Sequence, residues 1–227
     1  MLKKILLILI IIILLAVLLY NESNRSGINM KENEKHKIVV NEYGTYIDGF
    51  LIVNKTYSIS KDYTPDSYEI ITDSCPKCLD KKTYDAFLLM QKDAEKHNLK
   101  IWIQSGYRSY EYQKKIYNNY VNKDDYKKAD TYSARPGHSE HQTGLCFDLN
   151  SVSDEFADTP EGKWIDENCW KYGYCVRFPK GKDEYTGYKY ESWHLRYVGT
   201  ELAKKLYNNG DWISLEEFFG LPSEYPQ

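Results

Sequence analysis

The stretch "GHSEHQTGLCFDLN", Gly137 to Asn150, packs two histidines, two carboxylates and two glycines into fourteen positions. Side chains this polar, followed by the strand-like "LCFDL", must be solvated or employed on a ligand. The chain has five histidines: His36, His97, His138, His141 and His194. His36 falls in a polar segment near the N-terminus. His97 falls in the last turn of an expected helix, where the dipole favours an imidazolium. That leaves His138, His141 and His194. A hydrolytic zinc site needs three protein ligands and an open position for water, with a carboxylate near that water to take its proton. His141, Asp148 and His194 supply a ligand set, and Glu191 supplies the base. Glu191 and His194 are three apart, so in a regular strand they point to opposite faces. They converge only if the chain bulges at Ser192 and Trp193.

The elements around this stretch are mixed. The spacing predicts a helix over Lys81–His97, with Tyr84, Phe87, Leu88, Gln91 and Ala94 on one face. A half-buried strand is expected over Leu99–Gln104 and a second helix over Tyr110–Val121, with Ser109 as N-cap. Thr159 and Pro160 open a helix that ends at Gly173. "YCVRF" and "YKYESWHLRYV" read as strands joined through "PKGKDEYTG". Thr200–Asn209 is helical, and Ser214 with Glu217 forms a capping box for a last helix. Short extended pieces are expected in "YIDGFLIVNKTYSISKDYTP". Strands that cluster in hairpins indicate an α+β fold, a small antiparallel sheet with flanking helices.

Four segments carry a resemblance. "SEHQTGLCFDL" resembles the S-x-H-x-x-G-x-A-x-D signature of the zinc D-alanyl-D-alanine carboxypeptidases of the VanY type. "YESWHLRYVG" is similar to that family's E-x-W-H-x-R-Y-V-G, and "SGYRSYEYQ" to its S-G-Y-R-S-x-x-x-Q. "LIVNKTYSISKDYTP" resembles its opening segment. The match runs from about Leu51 to Gly210 and implies a fold of the Hedgehog/DD-peptidase group. It implies one Zn2+ held by His141, Asp148 and His194, with Glu191 as general base and Arg108 facing the oxyanion. Ser139 and Gln113 then bind substrate, Ser139 at its terminal carboxylate. Glu140 and His138 are left as solvated, and Gly144 allows close backbone approach beside the metal. Cys146 replaces the usual alanine and is expected as a small buried side chain turned from the metal. Phe178 stands where relatives commonly have tyrosine.

The activity implied is removal of the C-terminal D-alanine from peptidoglycan stem peptides. An L,D-carboxypeptidase or a D,D-dipeptidase shares the mechanism. A non-catalytic wall-binding module would have lost the base or a ligand, and both are present. The formal net charge of -3 gives no electrostatic basis for a nucleic-acid partner. Cys75 and Cys78 form a C-P-K-C pair without a second such pair, so a four-cysteine zinc site is not expected. A disulfide and free thiols both remain open.

The domain layout expected is an N-terminal segment at 1–20, a polar stalk at 21–40 and the peptidase domain at 41–227. Lys3 and Lys4 precede an apolar run from Ile5 to Leu19, which reads as an anchoring or secretion signal. Fifteen helical residues span about 22 Å, short of a hydrocarbon core of about 30 Å, with Leu2, Tyr20 and bilayer thinning to help. Ala16 lacks the second small residue that a cleavage site wants. An uncleaved anchor is therefore expected, single-pass in the bacterial cell membrane with the catalytic domain outside; cleavage would make the protein secreted. N-terminal sequencing of the mature protein should begin at or near Met1, in the membrane fraction; a start after Tyr20 would show a cleaved signal.

Overall fold

The computed structural model describes residues 29–32 and 36–226. The anchor segment at 1–20 and part of the expected stalk lie outside the described residues. Among the described residues no helix is long and apolar enough to cross a membrane.

Two four-stranded antiparallel sheets carry the domain. The first joins β1 (Asn29–Glu32), β2 (Lys37–Val40), β3 (Thr45–Ile47) and β4 (Phe50–Ile52) in sequence order. Sheet pairing therefore reaches back into the segment read as a stalk. The second sheet has the order β6-β8-β10-β9, built from β6 (Ile103–Ser105), β8 (Cys146–Leu149), β9 (Tyr174–Phe178) and β10 (Glu191–Tyr197). β5 (Ser74–Cys75) and β7 (Tyr107–Arg108) form a separate two-stranded pair. The α+β antiparallel expectation holds.

The second sheet packs one face on the main core. Phe147 and Leu149 of β8 point there with Trp193 and Leu195 of β10, all buried. The alternation of a strand turns Cys146 and Asp148 to the other side. The helix Lys81–Lys96 covers the core face. Asp80 caps it, accepting from the backbone N–H of Lys82 and Thr83, a role its carboxylate fills well at a helix N-terminus. Its buried residues are Thr83, Phe87, Met90 and Ala94. Phe87 meets Phe147 edge-on, with ring centroids 5.3 Å apart. Leu88, expected on the buried face, is exposed. Four consecutive apolar residues, Phe87 to Met90, allow more than one stripe, and contact with Phe147 selects the one through Phe87.

The expected strand at Leu99–Gln104 is shorter, since only Ile103–Ser105 pairs. Asn150 explains why. Its side chain accepts from Trp102 N and donates to Lys100 O, at 2.9 and 2.8 Å, in place of ladder bonds. The expected helix at Tyr110 extends to Asp124, with Ser109 accepting from Tyr112 N. The helix after Thr159 runs Pro160–Asn168 and tightens to a 3₁₀ turn ending at Gly173. The connection after Phe178 holds a one-turn helix, Asp183–Thr186. The capping box at Ser214 and Glu217 is present in full.

The C-P-K-C segment is a disulfide between Cys75 and Cys78. Cys146, Cys169 and Cys175 are buried free thiols. The bridge holds a tight loop against β7, where Ser74 pairs with Arg108 and Cys75 with Tyr107. A Cβ on Gly106 would lie 2.1 Å from the Pro76 carbonyl oxygen, so only glycine lets the loop sit this close. A loop this short removes only about 2 kcal/mol of unfolded-state entropy. Replacing both cysteines by serine should lower the melting temperature by about 4–8 °C in calorimetry. A much larger drop would mean that the bridge holds up more than its own loop.

Candidate active site

His194 and Asp148 are directly opposed in the antiparallel pairing of β10 with β8. That register brings a histidine and a carboxylate from positions 46 residues apart to one spot. His194 Nδ1 lies 3.3 Å from Asp148 Oδ1. Between Glu191 and Leu195 the pairing of β10 with β9 slips: Glu191 faces Phe178 and Leu195 faces Val176. Four steps on one strand thus oppose two on the other. This irregularity is the bulge that the Glu191–His194 spacing requires. Ser192 and Trp193 are buried within it. Glu191 Oε2 ends 3.6 Å from His194 Nδ1.

His141 arrives from a 3₁₀ turn, Glu140–Thr143, closed by Gly144 in the left-handed region at φ 67°. A Cβ there would also press Pro65 and Asp80 N, at 2.6 and 2.9 Å. Close approach and a positive φ both demand glycine. His141 Nδ1 lies 2.6 Å from the Gly106 carbonyl oxygen. A carbonyl only accepts, so the ring proton sits on Nδ1 and Nε2 holds a lone pair. That Nε2 is buried, has no protein hydrogen-bond partner, and lies 3.5 Å from Asp148 Oδ2.

His141 Nε2 faces Asp148 Oδ2 and His194 Nδ1 faces Asp148 Oδ1, so the two rings meet at one carboxylate. The edges of a tetrahedron with metal bonds of about 2.0–2.1 Å are about 3.3–3.4 Å. The 3.5 Å from His141 Nε2 to Oδ2 and the 3.3 Å from His194 Nδ1 to Oδ1, one at each carboxylate oxygen, are close to such edges and suit a shared Zn2+. Burial, the Arg108 charge and the neighbouring His194 hold the His141 pKa down to about 3, so the ring is a neutral donor. Burial opposes ionisation of Asp148, but its neighbours His141, His194 and Arg108 outweigh it and hold its carboxyl below the usual range.

A second grouping overlaps this one. The ligand atoms of His141, Cys146 and His194 lie within 4.8 Å of one another. Cys146 is fully buried, as expected, but shares its strand face with Asp148 and does not turn away from the histidines. The cleft separates the two sets. A cleft of about 630 Å³ is lined by His141, Asp148, Glu191, His194 and Arg108, and Cys146 does not reach it. A catalytic zinc keeps its open position toward substrate, which favours Asp148, and burial pushes the Cys146 thiol up, away from the thiolate a metal needs.

The remaining expected residues also line the cleft. Arg108 sits on β7 with Nη2 3.9 Å from Asp148 Oδ2 and Nη1 donating to Gln113 Oε1 at 3.0 Å. Gln113 donates its own amide to Ala134 O at 2.8 Å. Both ends of that amide are engaged, so the geometry makes Gln113 a holder of Arg108. Ser139 is buried at the start of the 3₁₀ turn, and its side chain forms no capping bond. His138 is half-buried, with Nδ1 2.8 Å from Asn54 O. Phe178 packs edge-on to His194 at 4.9 Å.

Glu140 departs most from expectation. It is not solvated but 5% exposed, with Oε1 accepting from Arg177 Nε at 2.8 Å and Arg196 Nη1 at 3.0 Å. Arg177 also forms a two-pronged pair with Glu216, at 2.8 and 2.7 Å. Arg177, Arg196 and Glu216 went unnoticed in the sequence. The available signal was a charge inside an apolar strand, as in "YCVRF", since a buried charge requires a partner.

The two ligand sets differ in outcome. Cys146→Ala should keep one zinc per chain after dialysis, whereas Asp148→Ala should lose it. Metal analysis giving the reverse pattern would make Cys146 the third ligand.

Comparison with known proteins shows what the chain is similar to. The description of the VanY family, D-alanyl-D-alanine carboxypeptidase, matches residues 76–200. YodJ of Bacillus subtilis is 39% identical over 181 residues, covering 74% of this chain and 66% of that protein. The chain spans about half to two thirds of the length of the curated relatives it matches. Among solved structures, the LdcB LD-carboxypeptidase superposes with a TM-score of 0.69 at 33% identity, covering 87% of this chain and 95% of LdcB. A vancomycin resistance D,D-pentapeptidase VanY in complex with Zn(II) gives 0.56 at 31% identity, covering 74% and 97%. With its motifs gathered around one cleft and more than half its length matched, this chain belongs to the VanY D-alanyl-D-alanine carboxypeptidase family.

Proposed function

We propose that this chain is a zinc-dependent D,D-carboxypeptidase that removes the C-terminal D-alanine from peptidoglycan stem peptides. The observation that carries the reading is the convergence of His141, Asp148 and His194 at a cleft that also holds Glu191 and Arg108. Zinc held by His141, Asp148 and His194 would polarise the scissile carbonyl and make water a stronger acid. Glu191 takes the proton from the attacking water and returns it to the leaving amine. Burial pushes its carboxyl above the usual glutamate range, with Asp148 adding to the shift and His194 opposing it. A carboxylate made more basic suits that task. Arg108, held by Gln113, offers its guanidinium to the developing oxyanion, where charge appears only in the transition state. Ser139, which lines the cleft, would bind the terminal carboxylate. The run Ile5–Leu19 would hold the enzyme at the outer face of the membrane, beside a polymeric substrate.

A second reading, L,D-cleavage of a tetrapeptide stem, is favoured by the fuller structural overlap with LdcB. Release of D-alanine from a pentapeptide and from a tetrapeptide separates the two, and release from neither would end both. Glu191→Gln should keep zinc and lose about 10²–10⁴-fold in turnover. Arg108→Ala should lower kcat more than it raises KM, and Arg108→Lys should restore activity only in part, because lysine lacks the planar fork. A rise in KM alone would instead assign Arg108 to the substrate carboxylate.

A further inference from the structure

His194 presents its two ring nitrogens to different groups. Nδ1 faces Asp148 Oδ1 at 3.3 Å and Glu191 Oε2 at 3.6 Å. Nε2 faces Glu140 Oε2 at 3.7 Å. Both members of that second pair are buried, and neither has another hydrogen-bond partner. We propose that Glu140 is a positioning residue for the zinc site, fixing the His194 tautomer that turns the Nδ1 lone pair to the metal. This rests on the reading of His141, Asp148 and His194 as the zinc ligands.

The argument begins with the arginines. Arg177 Nε and Arg196 Nη1 both donate to Glu140 Oε1. Their donors pin one oxygen and aim the other at His194. Ionised, Glu140 only accepts, so the proton between it and Nε2 belongs to the ring. The separation of 3.7 Å is longer than a hydrogen bond, and a movement of about 0.7 Å makes one. With Nε2 protonated, the lone pair lies on Nδ1, beside Asp148. His141 is set by the same device with a neutral acceptor, the Gly106 carbonyl. Partners of this kind orient metal-bound histidines and raise their basicity.

Charge supports the same role. The cluster Arg177, Arg196, Glu140 and Glu216 holds two cations and two anions, all buried. Of the two anions only Glu140 faces His194, where its charge favours a proton on Nε2.

Glu140→Gln is a sharp probe. The two arginine donors hold the amide oxygen where Oε1 was, which places the amide NH2 opposite His194 Nε2. A donor there favours the opposite tautomer and takes the lone pair from Nδ1. Glu216→Gln is the control, because it removes one charge from the same cluster, at Arg177 Nη1 and Nη2, without facing His194. Zinc affinity of the full chain, by competition with a chromogenic chelator, should fall about 10–100-fold in Glu140→Gln and stay near wild type in Glu216→Gln. Melting of the metal-free proteins reports the stability both variants lose. Wild-type affinity in Glu140→Gln, or equal loss in both variants, overturns the proposal. Should Glu140→Gln not fold, nitrogen-15 NMR of histidine in the zinc-loaded wild type decides: a proton on His194 Nε2 supports the role, and a proton on Nδ1 overturns it. A wild-type chain that binds no zinc overturns the ligand assignment, and this role with it.

Discussion

The register of β8 against β10 is the constraint on which the site depends. Opposing His194 to Asp148 brings two of the three candidate metal ligands together in a single pairing step. A slip of one residue would send every side chain of the strand to the other face. The core prevents that slip. Phe147 and Leu149 alternate with Asp148, and Leu195 follows His194, so moving the polar residues off the cleft would move the apolar ones out of the core. The bulge between Glu191 and Leu195 then breaks the alternation once, where the base must share a side with the ligand.

Around this pair the chain supplies supports of graded strength. His141 is oriented by a backbone carbonyl from the segment that the Cys75–Cys78 loop covers. Arg108 is oriented by an amide that the helix Tyr110–Asp124 carries. His194 has the most costly support, four buried charges. Removing one partner of such a cluster typically costs about 3–5 kcal/mol, and replacing the whole by apolar groups often costs nothing. Stability alone does not account for burying them. A role in holding a histidine at a chosen tautomer does.

The likeness to both LdcB and a D,D-pentapeptidase follows from the same architecture. His141, Asp148, Glu191, His194 and Arg108 sit on strands and on one tight turn. Another part of the cleft wall, Tyr112, Ile116, Tyr120 and Tyr132, comes from the helix Tyr110–Asp124 and a loop.

Much of this was legible in the chain itself. The motif spacings named His141, Asp148, Glu191 and His194, which the fold brings to one cleft. The need for a bulge followed from strand parity alone. The capping box at Ser214 and the helix starts at Lys81 and Tyr110 were local, so short-range chemistry specified them. The buried face of the first helix was not, because Phe87 to Met90 offered several stripes and only contact with Phe147 chose among them. The short strand at Ile103 depended on Asn150, nearly fifty residues away. Glu140 was misread for the same reason. A glutamate between two motif residues reads as solvated until Arg177, Arg196 and Glu216 close around it. Those four charges are separated by up to 76 positions in the chain. A sequence determines which residue types are available to a site and which local turns they form. Which buried charge finds which partner is decided only when distant strands pack, since the cost of desolvation exists only in the folded state.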